Sequence, residues 1–187
     1  MNIIILTPME IEREKVQQAL SRQLDLKHSY EVVVSGIGRE STAKAMMQLP
    51  EHDVCVLVGF AAIVGKEAAL PPELGFGMPV EITQASLYGY EGGLFENGAP
   101  IVVPPKLTLP CLSSLTSDKF VRTTDLAVQT IVNMEDYTFM YLKQPQDFIV
   151  RVVSDFLPHE TTIDFFEEVA PISFLGVVEA LEGFLDN

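Results

Sequence analysis

The stretch "DVCVLVGFAAIVG", residues 53–65, is almost bare of polar side chains. Its apolar run is too short to span a bilayer, which takes about 20 residues. Valine-rich and closed by a glycine, it reads as a strand buried on both faces. Such strands belong to sheets covered by helices on either side, usually parallel ones, so the flanking sequence should alternate strand and helix.

It does. Residues 2–6 form an apolar strand, and 9–23 carry Ile11, Val16 and Leu20 at roughly helical spacing. "YEVVVSGIG" (30–38) reads as a strand ending in a glycine turn, and 39–49 as a helix. Beyond the opening stretch, 66–78 is loop-like and 79–90 is a β-branched strand. Residues 89–110 hold four glycines and four prolines, which predicts loops around a short strand at 101–103. Strands are expected at 111–117 and 130–135, a helix at 136–144, and a strand at 148–155 that delivers Ser154 and Asp155 at its tip. A final helix is expected from about Thr162, kinked or split by Pro171, which removes a backbone donor and clashes one turn back. The fold class is α/β: one domain over 1–187, with a central mixed, largely parallel sheet flanked by helices on both faces.

Composition narrows the function. The chain has 187 residues, 48% of them hydrophobic, enough for a packed core. A formal net charge of -14 repels phosphate backbones and anionic lipid, arguing against nucleic acid and membrane surfaces as partners. The N-terminal stretch lacks a basic region and passes straight into acidic, helix-like sequence, so a strand is expected there and a cytoplasmic location is inferred. Cys55 lies in the apolar run and reads as a buried reduced thiol. His28, His52 and His159 are scattered, so no metal site is expected, and no cofactor is implied.

Ligands of open α/β sheets bind outside the carboxyl ends of strands. The residues just past the expected strands are Met9, Glu10 and Glu12; the turn 35–38; Phe60 to Ala62; Asp118 and Phe120; Met134 and Glu135; and Ser154 and Asp155. Glu12, Glu135 and Asp155 are therefore expected to converge with an aromatic ring and glycine turns. Each also has a simpler reading: acids favour the first turn of a helix, Ser and Asp cap the backbone of the next few residues, and Phe120 taken alone reads as core.

In order along the chain, "IIILTPMEIE" (3–12), "SGIG" (35–38), "VGFAA" (58–62), "TSDKF" (116–120), "VNME" (132–135) and "RVVSD" (151–155) resemble the nucleoside phosphorylase/nucleosidase superfamily, and within it the methylthioadenosine/S-adenosylhomocysteine nucleosidases. The resemblance covers nearly the whole chain and implies a purine nucleoside phosphorylase-like fold. It implies hydrolysis of the N-ribosidic bond of a purine nucleoside, with Glu12 as the base that activates water and Asp155 as the acid that protonates the leaving base. Glu135 matches the residue that holds the ribose hydroxyls, and Met134 and Met9 match contacts to the sugar and its 5′ substituent. Ala61 falls in the glycine turn, Phe120 matches the ring that stacks on the base, and Val121 offers backbone groups beside it. Ser154 orients Asp155, and Phe165 lies where the family has an aromatic against the 5′ group. A small-molecule nucleoside and a homo-oligomer, a dimer first of all, are the implied partners.

Phosphate-using members surround the anion with arginines; here only Arg13 stands near the corresponding places, which favours water. A futalosine-type hydrolase, a phosphorylase of the same fold and a non-catalytic nucleoside-binding homologue are the alternatives. The sequence departs from the family pattern at Phe60 and at 136–139, where small residues are usual, and it is shorter between about 66 and 130.

Overall fold

In the computed structural model, residues 1–24, 26–65, 74–89, 99–121, 126, 130–157 and 165–186 are described. In chain order the elements are β1 (Asn2–Thr7), α1 (Glu10–Ser21), β2 (Ser29–Val34), α2 (Arg39–Met46), β3 (Val54–Val64), β4 (Pro79–Leu87), β5 (Ile101–Val102), β6 (Cys111–Thr116), β7 (Thr130–Asn133), α3 (Asp136–Leu142), β8 (Phe148–Leu157), α4 (Phe165–Val169) and α5 (Leu175–Leu185). The loop expected at 66–78, the irregular stretch 89–110 and the helix start near Thr162 fall partly or wholly outside the described residues. Among the described residues, no helix is long and apolar enough to cross a membrane.

The opening stretch is the hub of the sheet. β3 pairs in parallel with β1 through its first half and with β8 along nearly its whole length, and antiparallel with β7 at its far end. β8 turns to pair antiparallel with β4, β4 pairs with β6, and β6 pairs with β7. The path β3–β8–β4–β6–β7–β3 therefore closes on itself. β1 and β2 extend from β3, and β5 extends from β4. The sheet is mixed and mostly parallel, as the continuous apolar strands require.

Two apolar cores lie against it. One packs Ile3, Ile5, Val56, Val58, Phe60, Val150 and Val152 against Val16 of α1, Val169 of α4 and Val177, Val178 and Leu181 of α5. The other packs Ile4, Leu6, Leu57, Ile63, Ile82, Ile149 and Val153 against Tyr137, Phe139 and Met140 of α3, with Ala45 and Met46 of α2 alongside. The C-terminal helix is split, α4 ending just before Pro171 and α5 starting after it. Lys15 of α1 donates to the carbonyls of Ala170 and Ile172 on either side of that break.

Three elements differ from the sequence expectation. Gly59, Phe60, Ala61 and Ala62, expected as a glycine turn past the third strand, lie within β3, which stays paired with β8 as far as Val64. β7 stops at Asn133, and Glu135 instead occupies the N-cap of α3. β8 runs to Leu157, so Ser154 and Asp155 do not stand at its tip. They sit at a β-bulge: Ala61 pairs with Val153 but Ala62 pairs with Asp155, leaving Ser154 as the extra residue. A bulge breaks the side-chain alternation and re-aims the residues beyond it. The interruption read from the sequence as a strand end is thus a kink within a longer strand.

Candidate active site

The carboxyl end of β1, the middle of β3, the end of β7 and the bulge of β8 surround a cavity of about 230 Å³. Among the described residues it is lined by every residue singled out from the sequence: Met9, Glu12, Ala61, Phe120, Val121, Met134, Glu135, Ser154, Asp155 and Phe165. Seven others were not singled out as site residues: Pro8, Ile37, Ala62, Lys119, Val132, Asn133 and Arg151. Phe60, a departure from the family pattern, lines it too.

Glu12 is 1% exposed, at the third position of α1. The Met9 N–H donates to its Oε2 at 2.7 Å, capping the start of α1, and the Phe60 N–H donates to Oε1 at 2.7 Å from β3. Burial nevertheless outweighs those bonds and the attraction of Arg151, pushing the carboxyl up to about 8 from its ordinary 4.5. A carboxylate of that basicity accepts and holds a proton near neutral pH.

Arg151 is completely buried. Its Nη2 donates to Glu135 Oε2 at 2.9 Å and lies 2.7 Å from Asp136 Oδ1, while Nε donates to the same Asp136 oxygen at 2.8 Å. Nη1 donates to the Phe60 carbonyl at 3.3 Å. Asp136, Glu135 and Glu12 all hold the guanidinium in its charged form against the cost of burial. The remaining Glu135 oxygen receives the Gly38 N–H at 2.9 Å, which brings the "SGIG" turn to the site. Oε2 also receives the Met134 N–H at 3.3 Å, the longest of these bonds, so one of the carboxylate's four acceptor positions is free and a second is only weakly held.

Gly59 is required by close approach. A Cβ there would lie 2.5 Å from Arg151 Nη1 and 2.7 Å from Glu12 Oε1. Its neighbour Phe60 does not intrude. The ring packs edge-on against Phe174 at 5.0 Å between centroids and against Phe165 at 5.9 Å, joining the α1–α5 core, while its backbone serves Glu12 and Arg151. At the bulge, the Ser154 hydroxyl donates to Asp155 Oδ1 and fixes the carboxyl plane. Phe120, which alone reads as core, is 68% exposed and lines the cavity. Arg13 is absent from the described lining and pairs with Glu10.

Arg151 stands in "RVVSD" but was given no role from the sequence. The signal was present: a single arginine within the apolar run 148–153 must bring buried acidic partners with it. Asp136 is one of them, and no pattern in the sequence tied the two together. Among the described residues, no group of three or more His, Cys, Asp or Glu is arranged to hold a metal ion. Cys55 is buried, with its thiol pushed up by desolvation.

No protein-family model matches the chain, and no curated protein sequence does. Solved structures do. The 5′-methylthioadenosine/S-adenosylhomocysteine nucleosidase (MTAN) of Campylobacter jejuni superposes with a TM-score of 0.72 at 19% identity, over 98% of this chain and 99% of that one. The chain has the MTAN fold. A Helicobacter pylori MTAN mutant with 5′-methylthioadenosine in its active site gives a TM-score of 0.73 at 15% identity, over 99% and 98% of the two chains. The Streptococcus pneumoniae enzyme with the transition-state inhibitor MT-ImmA gives 0.69 at 21%, over 99% and 98%.

Proposed function

We propose that this protein hydrolyses the N-ribosidic bond of a purine nucleoside of the methylthioadenosine/S-adenosylhomocysteine type. The observation that carries the reading is the meeting of Glu12, Glu135 and Asp155 in one cavity beside the exposed ring of Phe120. The MTAN fold, with nucleosidases among the solved structures that share it, supports the same reading.

Water attacks C1′ as the bond from C1′ to the base nitrogen breaks. One water proton passes to Glu12 in its ionised form, a minority of the molecules at neutral pH that grows as pH rises toward about 8. Asp155, oriented by Ser154, gives its proton to the ring nitrogen of the departing purine, which leaves neutral. Glu135, braced by Gly38 and Arg151, accepts hydrogen bonds from the 2′ and 3′ hydroxyls. Met9, Met134 and Phe165 give the sugar and its 5′ substituent an apolar wall, while Ala61 and Val121 complete the lining. The products are the free base and the ribose derivative.

Water rather than phosphate fits as nucleophile. Among the described lining residues the cationic side chains are Lys119 and Arg151, and Arg151 is already bound to two carboxylates. That leaves Lys119 among the described lining residues, and a phosphate dianion in a partly dry cavity needs more than one cationic partner. Phe60, the residue that would favour a binding-only homologue, turns its ring into the core and leaves Glu12 facing the cavity. The same reading has the protein working in the cytoplasm as a homodimer, measurable by light scattering.

The test is a panel of purine nucleosides incubated with and without phosphate. Free base and reducing sugar should appear at equal rates in both arms. Strict dependence on phosphate would reassign the chain as a phosphorylase, and tight binding without turnover as a binding homologue. The role of Asp155 is tested by Asp155→Asn, which should cut purine release by about 10²–10⁴-fold. A substrate whose base leaves without protonation should recover most of the lost rate. Equal losses on both leaving groups would make Asp155 a positioning group.

A further inference from the structure

One buried guanidinium in this site faces three buried carboxylates, Glu12 from α1 and Glu135 and Asp136 from the β7–α3 junction. Two of them have an evident task in the proposed reaction, and Asp136 has none. It is completely buried, does not line the cavity, and still makes the closest contacts Arg151 has, to Nε at 2.8 Å and Nη2 at 2.7 Å. Its second oxygen is also held: Asn133 Nδ2 donates to Oδ2 at 2.5 Å, and the Ser114 hydroxyl of β6 faces the carboxyl.

Asn133 is locked in turn. Its Oδ1 receives the N–H groups of Glu135 and Asp136 and the Thr116 hydroxyl, and Thr116 Oγ1 accepts the Tyr137 N–H. A chain of bonds therefore runs from β6 through Asn133 and Asp136 to Arg151. Such a chain fixes the guanidinium plane so that Nη2 meets Glu135 and Nη1 points toward Gly59 and the Phe60 carbonyl. It also spends much of the guanidinium charge on a carboxylate remote from ligand. Glu12, whose nearest charged neighbours are Arg151 and Glu135, is left with only part of that attraction.

We propose that Asp136 is a positioning residue that keeps Glu12 basic, by holding Arg151 against Glu135 and taking up its charge. The inference rests on the reading of Glu12 as the proton acceptor, but the coupling it asserts is a property of the folded protein whatever the reaction.

The charges set the sign. Asp136→Asn removes a negative charge beside Arg151, lessens repulsion on Glu12 and leaves the guanidinium free to attract it. The Glu12 carboxyl should then titrate lower, by about one pH unit. The closing experiment is a carboxyl-carbon NMR titration of the glutamate-labelled full chain, with Glu12→Gln assigning the Glu12 resonance. In Asp136→Asn the Glu12 midpoint should fall by that amount, and the acid limb of kcat/KM should move with it while KM changes little. An unmoved midpoint in the folded variant overturns the proposal. A moved midpoint with no turnover on any nucleoside keeps the coupling and rejects only the proposed reaction. If the variant does not fold, the wild type labelled at both glutamate and aspartate decides. Glu12 and Asp136 should then titrate as a coupled pair, each curve bent by the other's ionisation, and two independent single-step curves overturn the proposal.

Discussion

Glu12 and Glu81 are each 1% exposed, and each accepts backbone N–H groups from a neighbouring segment. Glu81, on β4, takes the N–H groups of Lys106 and Leu107 and closes the chain leading into β6. Asp147 does the same between Cys55 and Gln144. In both cases the partners are backbone donors, and the carboxylate serves as a fixed clasp. Glu12 takes one backbone N–H on each oxygen, lines a cavity, and shares a single guanidinium with two more acids. One cation cannot balance three carboxylates out of water, so a proton remains in the cluster and Glu12 is pushed up to hold it. Burial of an acid is common to clasp and site; the two differ in whether the surrounding donors already match its charge.

The largest expected effect tests that contrast directly. Glu12→Gln should lower turnover by about 10²–10⁴-fold, as loss of a general base does. Glu81→Gln should leave turnover near wild type and lower stability by roughly 1.5–3 kcal/mol, because bonds to a charged group are weakened. Both are checked by initial rates on a confirmed substrate and by urea melts. Equal loss of activity in the two variants would erase the distinction between clasp and site.

Stability against pH sharpens it next. The Glu12 carboxyl is pushed up on folding, so the folded state binds the proton more tightly than the unfolded chain. Its stabilising contribution is full below about 4.5, falls as pH rises toward about 8, and is flat above, a loss on the order of 5 kcal/mol. Asp136, also raised by burial, adds to the same downward trend. Urea melts across that window should show the decline in wild type and a clearly shallower one in Glu12→Gln. A decline of equal slope in both would place the retained proton elsewhere.

Gly59→Ala comes third. The added methyl meets two side chains that are themselves held, Arg151 Nη1 and Glu12 Oε1, so one must shift. Displacement of about 1 Å at such a site costs about 10²-fold in turnover, with overpacking adding about 1–3 kcal/mol of instability. Rates and melts of the same sample measure both. Full activity in the alanine variant would show that the Arg151–Glu12 spacing is looser than the structure has it.

The smallest effect concerns the sugar. A 2′-deoxy substrate leaves one acceptor position of Glu135 unmet in a dry cavity, at about 1–3 kcal/mol, or roughly 5–150-fold in kcat/KM. Glu135→Ala should remove most of that preference. An undiminished preference in the alanine variant would assign the discrimination to another group.

Sequence alone determined the order of strands and helices, because near-continuous apolar runs such as 53–65 and 148–153 have no other stable place than a covered sheet. It also pointed to ten of the residues that line the cavity, because segments past strand ends collect at one edge of an α/β sheet and the motifs of the family resemblance fall there. The tertiary structure decided the rest. Closure of the sheet through β8 and β4, and the bulge at Ser154, depend on pairings between distant strands that no local pattern encodes. The same holds for Arg151: its apolar neighbours foretell burial, but only the packing of β7, α3 and β8 brings Asp136 and Glu135 within 3 Å of it. The basicity of Glu12 is likewise not a property of its position at a helix start. It arises from how much water the fold removes and how the one buried cation is shared, and both are set only when the chain has closed around them.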